Sequence, residues 1–292
     1  MHCKNLFLAF YFLLAMFSCD VPGSEEPTDQ LLNIDHCLVI TGSPATLDVV
    51  TWNVKEFPLL GDRTIELLTD LIRKISPDVI AFQEIRNIAG FKDLGQRLPG
   101  WKAAIQEVSE MNPGFLYKTA EVTLIGEPLY LFSEELEAFP RPPMMISIEH
   151  NSGLQIMLIN IHLKCCSGTE NESRRRNAGI MLKTFVDEKL PHAPVLILGD
   201  FNDEIVQEKP EEQVFAEFLK DSLKYRFIDH DIANGNPELW SYPRWPSHLD
   251  HFLITDELYE MKLDLSVLAF DRCDTAYFTC ISDHRPLILR IK

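Results

Sequence analysis

The feature that most constrains the fold is the run Pro194-Val-Leu-Ile-Leu-Gly-Asp-Phe-Asn-Asp203, in which apolar residues stop at Gly199 and give way to two acids around an amide. Val, Leu and Ile in an unbroken run, bounded by Pro and Gly, read as a buried strand emerging from a sheet. A buried strand needs neither a carboxylate nor an amide at its exit, so Asp200 and Asn202 are candidates for chemistry where a cleft opens. Gly, Asp and Asn are also ordinary turn formers. What separates the two readings is whether other strands end in the same way.

Several do. Residues 47–54 are rich in β-formers and carry Asn53 near their end. Ile65, Leu68, Ile72 and Ile75 then recur at three- and four-residue steps, which predicts a helix with one apolar face, stopped by Pro77. A second strand over 78–84 ends in Glu84, and strand, helix and strand together make a βαβ unit with a parallel pair. Strands over 144–149 and 154–161, joined by Asn151-Ser-Gly153, are antiparallel, so the sheets are mixed. The second of these ends at Asn160 and His162. A loop is expected over 165–173 and helices over about 174–188 and 211–223. The segment 240–248, interrupted by two prolines, reads as surface loop. The strand over 249–254 begins with its polar pair, and Ser282-Asp-His284 precedes the closing strand at 287–291. No internal linker divides 33–292, which reads as a single domain.

The 292-residue chain carries a formal charge of -17, a field that weakens indiscriminate attraction to nucleic acid or anionic lipid. Bound divalent cations reverse that sign locally, so a phosphodiester substrate stays open. Residues 1–19 have the order of an export signal, with Lys4, an apolar run over 6–17, then Ser18-Cys19-Asp20. The run is short for a membrane span. Ser18-Cys19 resembles the lipobox of bacterial lipoproteins, which implies a lipid anchor on Cys19 and a place in the cell envelope, with secretion as the alternative. Residues 20–32 are too polar to pack and read as a tether. Of seven cysteines, Cys37, Cys165, Cys166, Cys273 and Cys280 follow the signal. Five is odd, so at least one thiol is free if the protein is exported. Cys273 and Cys280 can close a short loop, whereas adjacent Cys165 and Cys166 pair more easily with other partners than with each other. No CxxC pair or His/Cys cluster suggests zinc.

Thr51-Trp-Asn53, Phe82-Gln-Glu84, Asn160-Ile-His162, Gly199-Asp-Phe-Asn202, His248-Leu-Asp250 and Ser282-Asp-His284 resemble, in this order, the six signature blocks of the endonuclease/exonuclease/phosphatase superfamily. The resemblance spans about 47–292. It implies an α/β fold of four layers, with two mixed β-sheets packed face to face and helices outside. It further implies that Glu84 is the principal ligand of Mg²⁺ or Mn²⁺, with Asn53 and Asp283 as ligands or supports, a donor set suited to hard cations. By the same resemblance, Asp200 orients or deprotonates the attacking water and Asn202 holds the phosphate or water. His284 touches the scissile phosphate, as a base or as a transition-state stabiliser, with Asp250 fixing its ring, and His162 is a general-acid candidate. Singly, Glu84 also fits a helix cap, Asp250 and Asp283 turn acids, and His162 a hydrogen-bonded core histidine. His251 is expected on the opposite face of its strand from Asp250.

Substrate contacts are expected from Arg141 before two prolines, from Asn160, from Arg174 in the cluster Arg174-Arg-Arg176 at a helix start, and from the aromatic and basic loop with Trp240, Tyr242, Arg244 and Trp245. The function expected is an extracytoplasmic DNA or RNA endonuclease with nucleic acid as substrate and no obligate protein partner. A phosphomonoesterase or lipid phosphodiesterase is the enzymatic alternative. A binding module that has lost catalysis is the other.

Overall fold

The computed structural model describes residues 31–38, 43, 45–206 and 213–292. The expected export signal with Cys19, and most of the expected tether, lie outside these residues. In chain order the strands are β1 (Leu47–Phe57), β2 (Val79–Ile85), β3 (Trp101–Ala104), β4 (Asn112–Lys118), β5 (Val122–Leu124), β6 (Leu129–Tyr130), β7 (Met144–His150), β8 (Gln155–His162), β9 (Val195–Asp200), β10 (Tyr225–Phe227), β11 (Asp250–Thr255), β12 (Leu263–Val267) and β13 (Leu287–Ile291). The main helices are α1 (Asp62–Ile75), α2 (Ile88–Gln96) and α3 (Thr169–Lys189). One sheet runs β12-β13-β1-β2-β4-β3 and the other β10-β11-β9-β8-β7-β5, with β6 paired to β7. Within them β1 and β2 are parallel, as are β8 and β9, and the remaining neighbours are antiparallel.

Period-two alternation builds the layers. On β1, Val49 faces the second sheet while Val50 and Trp52 face α1, whose Ile65, Leu68, Ile72 and Ile75 are buried as their spacing requires. On β9, Leu196 and Leu198 meet the first sheet while Ile197 packs under Leu182 and Val186 of α3. Three apolar seams therefore separate four layers, helix, sheet, sheet and helix. Each fully buried Leu, Ile or Phe in these seams contributes on the order of 1.5–3 kcal/mol.

The row of side chains between the sheets changes character at one edge. Apolar Val49, Ala81, Leu158, Leu198 and Phe252 give way to buried Thr51, Gln83 and Asn160, where Gln83 Nε2 donates to Asn160 Oδ1 (2.8 Å) and Thr51 Oγ1 (3.1 Å). One step further along the same rows stand Asn53, His162, Asp200 and Asp250. The polar strand ends recognised in the sequence thus converge because they occupy one parity on strands that face each other.

Four local expectations are revised. The segment over 165–173 is not all loop, because α3 starts at Thr169 with Glu170 and Glu172 in its first turn, where acids complement the helix dipole. Arg174 and its neighbours consequently lie a turn inside the helix. The helix expected over 211–223 is only Ala216–Lys220 among the described residues. Cys273 pairs with Cys37, Cα atoms 6.2 Å apart, rather than with Cys280. Leu32, the last residue of the expected tether, is buried in the seam beneath α1.

Candidate active site

Asn53 and Asp200 come from different sheets, and the first half of the site forms where they meet. Asn53 Nδ2 donates to Asp200 Oδ2 (2.9 Å) and to Glu84 Oε1 (3.0 Å). Strand alternation alone would send Glu84 to the helix side, beside Phe82. It reaches the cleft because its backbone turns left-handed (φ 64°), and β1 loops out opposite it with Lys55 at φ 38° and Glu56 at φ 48°. Left-handed conformations cost non-glycine residues about 1–3 kcal/mol each. The strain is fixed by two hydrogen bonds to the backbone, from Glu56 N–H to Glu84 Oε2 (2.9 Å) and from Lys55 N–H to Asn53 Oδ1 (3.0 Å).

Gly199 brings in the second sheet. With φ 140° and room for no Cβ, since one there would meet Ile161 O at 2.0 Å, it lets β8 and β9 approach so that His162 registers beside Asp200. His162 Nε2 lies 3.6 Å from Asp200 Oδ2 and 3.8 Å from Glu84 Oε1, and its buried Nδ1 has no partner. Asn202, also left-handed at φ 55°, donates its N–H to Asp200 Oδ1 (2.9 Å) and its Nδ2 to Leu163 O (3.1 Å).

Facing this half is a dyad. Asp250 Oδ2 bonds His284 Nδ1 at 2.8 Å, and His284 Nε2 lies 3.9 Å from Asp200 Oδ2. The backbone of His284 is held from behind: Trp52 Nε1 donates to Tyr277 Oη (2.9 Å), which donates to His284 O (2.6 Å). Ser282 Oγ donates to Asn53 O (2.6 Å) and accepts from His284 N–H (3.0 Å), tying the two halves together. Tyr242 covers the ring, centroids 4.8 Å apart.

The charges follow from burial and pairing. Burial pushes Asp200 up to about 7, reinforced by the Asp250 and Glu84 carboxylates and opposed by His284 and the Asn53 hydrogen bond. Burial disfavours charge on His284 as well, yet the Asp250 contact outweighs it and holds the imidazolium up to about 10. His162 goes the other way, driven well below the ordinary value by burial and then by the Arg141 and His284 cations. At neutral pH one histidine is therefore a cation and the other a neutral N–H donor.

Glu84, His162, Asp200, Asn202, Tyr242, Trp245, Asp283 and His284 line one cleft of about 630 Å³. Other expected contacts do not line this cleft. Asn160 is fully buried, donating to Phe82 O (2.9 Å) and Gly114 O (3.1 Å), so it bridges the sheets beneath the site. Arg141 donates to the carbonyls of His162 and Leu163, and Arg174 to Glu137 O (2.6 Å). Both guanidiniums hold backbone. Trp240 Nε1 is spent on Ile232 O (3.0 Å), and Arg244 lies over the Phe278 ring. Two further side chains line the cleft, Lys55, which is not among the expected site residues, and Arg175, the middle of the Arg174-Arg-Arg176 cluster. Lys55 reaches the cleft and pairs with Asp283 Oδ2 at 2.6 Å. Arg175, only 3% exposed, bonds Asp203 Oδ2 (2.8 Å), Lys164 O (2.8 Å) and Cys166 O (2.9 Å). A lysine two residues past Asn53 is visible in the sequence, but the left-handed turn that aims it is not.

His251 does lie on the opposite face of β11 from Asp250. There it joins His248 around Asp229, with His251 Nδ1 at 2.5 Å and His248 Nε2 at 3.1 Å from Asp229 Oδ2. Both Asp229, His248 and His251 and the trio Asp200, Asp250 and His284 are candidate metal-binding clusters. The groups at the cleft edge offer oxygen donors, the carboxylates of Glu84, Asp200 and Asp283, the last paired with Lys55, and the amide oxygen of Asn53, which accepts from Lys55 N–H; Asp250 Oδ1 is buried without a partner. Such a set fits Mg²⁺ or Mn²⁺ and not a soft metal.

Two mixed sheets face to face, helices outside and a polar cleft at one sheet edge define the deoxyribonuclease I-like class of four-layer sandwich. The chain belongs to the Endonuclease/Exonuclease/phosphatase family, whose model matches residues 50–284. Among solved structures, it resembles a humanized D. rerio TDP2 (15% identity, TM-score 0.65, covering 85% of this chain and 99% of that one). It also resembles the human Nocturnin catalytic domain with bound sulfate (18%, TM-score 0.65, 89% and 98%) and a Bacteroides vulgatus endonuclease/exonuclease/phosphatase (12%, TM-score 0.61, 85% and 98%). At these identities the likeness speaks for the fold. Comparison with curated protein sequences returns no match.

Proposed function

We propose that the protein is a divalent-metal-dependent phosphodiester hydrolase acting on DNA or RNA. The observation that carries this reading is the opposition, across one cleft, of the bonded Asn53–Glu84–Asp200 group and the Asp250–His284 dyad. Glu84, with Asn53 and Asp283, would hold the cation, which supplies charge neutralisation on the nonbridging phosphate oxygens. Asp200, fixed by Asn53 and the Asn202 N–H, takes a proton from the attacking water. As the water oxygen bonds phosphorus, the bond to the leaving oxygen breaks, and His284 gives that oxygen its proton. An acid near neutrality and an imidazolium retained to higher pH suit these two roles. His162 donates a hydrogen bond to a phosphate oxygen, and Trp245, 77% exposed at the cleft, stacks on a base. A TDP2 structure similar in fold holds a single-strand DNA product, which supports a nucleic-acid substrate. An oxidising compartment outside the cytoplasm is part of the proposal and is supported by the Cys37–Cys273 bond.

A second reading has its own observation. The cleft wall carries Glu56, Glu172 and Glu204, while its Lys55 is paired with Asp283 and its Arg175 with Asp203. An acidic wall favours a small phosphoester over a long polyanion. Both are tested by hydrolysis of plasmid DNA, structured RNA, sphingomyelin and a phosphomonoester panel, with Mg²⁺, Mn²⁺ or chelator, by the wild type, Glu84→Ala and His284→Ala. Metal-dependent nicking lost in both variants supports the nuclease. Turnover confined to small or lipid phosphoesters sinks it and keeps the site.

A further inference from the structure

Cys165 and Cys166 stand on the wall of the same cleft with Sγ atoms 2.8 Å apart, and neither belongs to the Cys37–Cys273 bond. We infer that these adjacent cysteines form an exchange-active dithiol, which a small-molecule disulfide oxidises to a ring closed between neighbouring residues.

Three observations support this inference. The thiols are reachable, Cys166 being exposed and Cys165 partly so. Lys164 Nζ lies 3.6 Å from Cys165 Sγ, and the Cys166 thiol is pushed up first by its hydrogen bond to Cys165. In the pair, 2.8 Å apart, Cys166 is the proton holder and Cys165 the attacking sulfur. The segment is also preorganised. Arg175 Nη1 clamps Lys164 O (2.8 Å) and Cys166 O (2.9 Å), bracketing Cys165, and Cys166 is left-handed at φ 79°.

The exchange balances without any further reactant. Cys165 gives up its proton, attacks one sulfur of the oxidant R–S–S–R and expels R–S⁻. Cys166 then gives up its proton and attacks Cys165 of the mixed disulfide, expelling the second R–S⁻. The two expelled thiolates leave as two R–SH, the protein is oxidised by two electrons and the oxidant is reduced by two. Adjacent Cα atoms are held about 3.8 Å apart, below the ~4.4–6.8 Å usual for a disulfide, so the ring is strained and readily reduced. Strained, exposed disulfides are the labile ones. The site therefore cycles, unlike Cys37–Cys273. Through Arg175 and Asp203 it touches the wall beside Asn202, and its effect on turnover rests on the hydrolase reading.

The test is mass spectrometry of the full chain equilibrated with oxidised glutathione and then digested without reduction. The peptide holding Cys165 and Cys166 should lose two hydrogens, carry no glutathione and return to the dithiol with dithiothreitol. Cys165→Ser and Cys166→Ser should each keep one glutathione adduct instead. A stable adduct in the wild type, or thiols that stay alkylatable while both single variants form adducts, overturns the ring. Because these readouts need no turnover, their failure is separable from failure of the hydrolase proposal. In a plasmid-nicking assay the oxidised wild type should be several-fold slower than the reduced one, with Cys166→Ser indifferent to oxidant before an adduct forms. Equal rates at full ring occupancy overturn the link to the cleft.

Discussion

Strand β11 carries two Asp–His clusters on its two faces, and they differ in what their ring nitrogens do. On the helix side, His251 Nδ1 meets Asp229 and its Nε2 meets Asp203 O (2.9 Å). His248 Nε2 meets Asp229 while its Nδ1 accepts from Ser241 N–H (3.2 Å). All four nitrogens are satisfied by protein, and aromatic rings of Phe201 and Phe227 seal the cluster. On the inter-sheet side, the Asp250–His284 dyad leaves His284 Nε2 facing the cleft, 3.9 Å from a carboxylate, and Asp250 Oδ1 without a partner. A saturated polar cluster rigidifies a fold, whereas an unsaturated one at a cleft is available to a ligand. Residue type does not distinguish the two.

The sharpest way to break this comparison is to remove the open imidazole. His284→Ala should lower kcat/KM about 10²–10⁴-fold while near-ultraviolet circular dichroism stays native, and His251→Ala should lower activity only as far as it unfolds the protein. Next in size, Asp229→Ala leaves two buried histidines unpaired and should cost about 3–5 kcal/mol of unfolding free energy in urea. Were Asp229→Ala as stable as wild type, the structural role of that cluster would be wrong. Trp245→Ala should change stability by less than about 0.5 kcal/mol and weaken binding of a nucleic-acid substrate by about 1–3 kcal/mol, seen as a raised KM.

The smallest effect is a pH slope. Burial disfavours charge on Asp229, but His251 and His248 outweigh it and hold the carboxyl well below the ordinary range, while Asp229 likewise raises His251 against its burial. A depressed acid stabilises fully above its unfolded value, near 4, and that contribution is lost as pH falls toward the folded value. A raised histidine stabilises fully below about 6.5 and loses its contribution as pH rises through the folded value. Unfolding free energy should therefore decline below about pH 4, by at most about 1.4 kcal/mol per pH unit for this group, and Asp229→Asn should flatten that limb.

The sequence by itself determined a great deal. Apolar runs with polar exits specified the strands, period two placed Asn53, His162, Asp200 and Asp250 on one parity, and the six ordered blocks carried the family. These are local properties, set by strand geometry and side-chain type. Tertiary structure decided which polar groups remain open. Arg141, Arg174 and Trp240 are expected as substrate contacts, and folding brings to each a backbone carbonyl to which it donates. Asn160 shares the parity of the site yet lies one step too deep, where it bridges two sheets. Lys55 and Glu84 enter the cleft only through left-handed turns braced across two strands. Cys37 finds Cys273 across 236 residues. Whether a donor or acceptor is used up depends on partners far away in the chain, and that saturation is settled only when the layers pack.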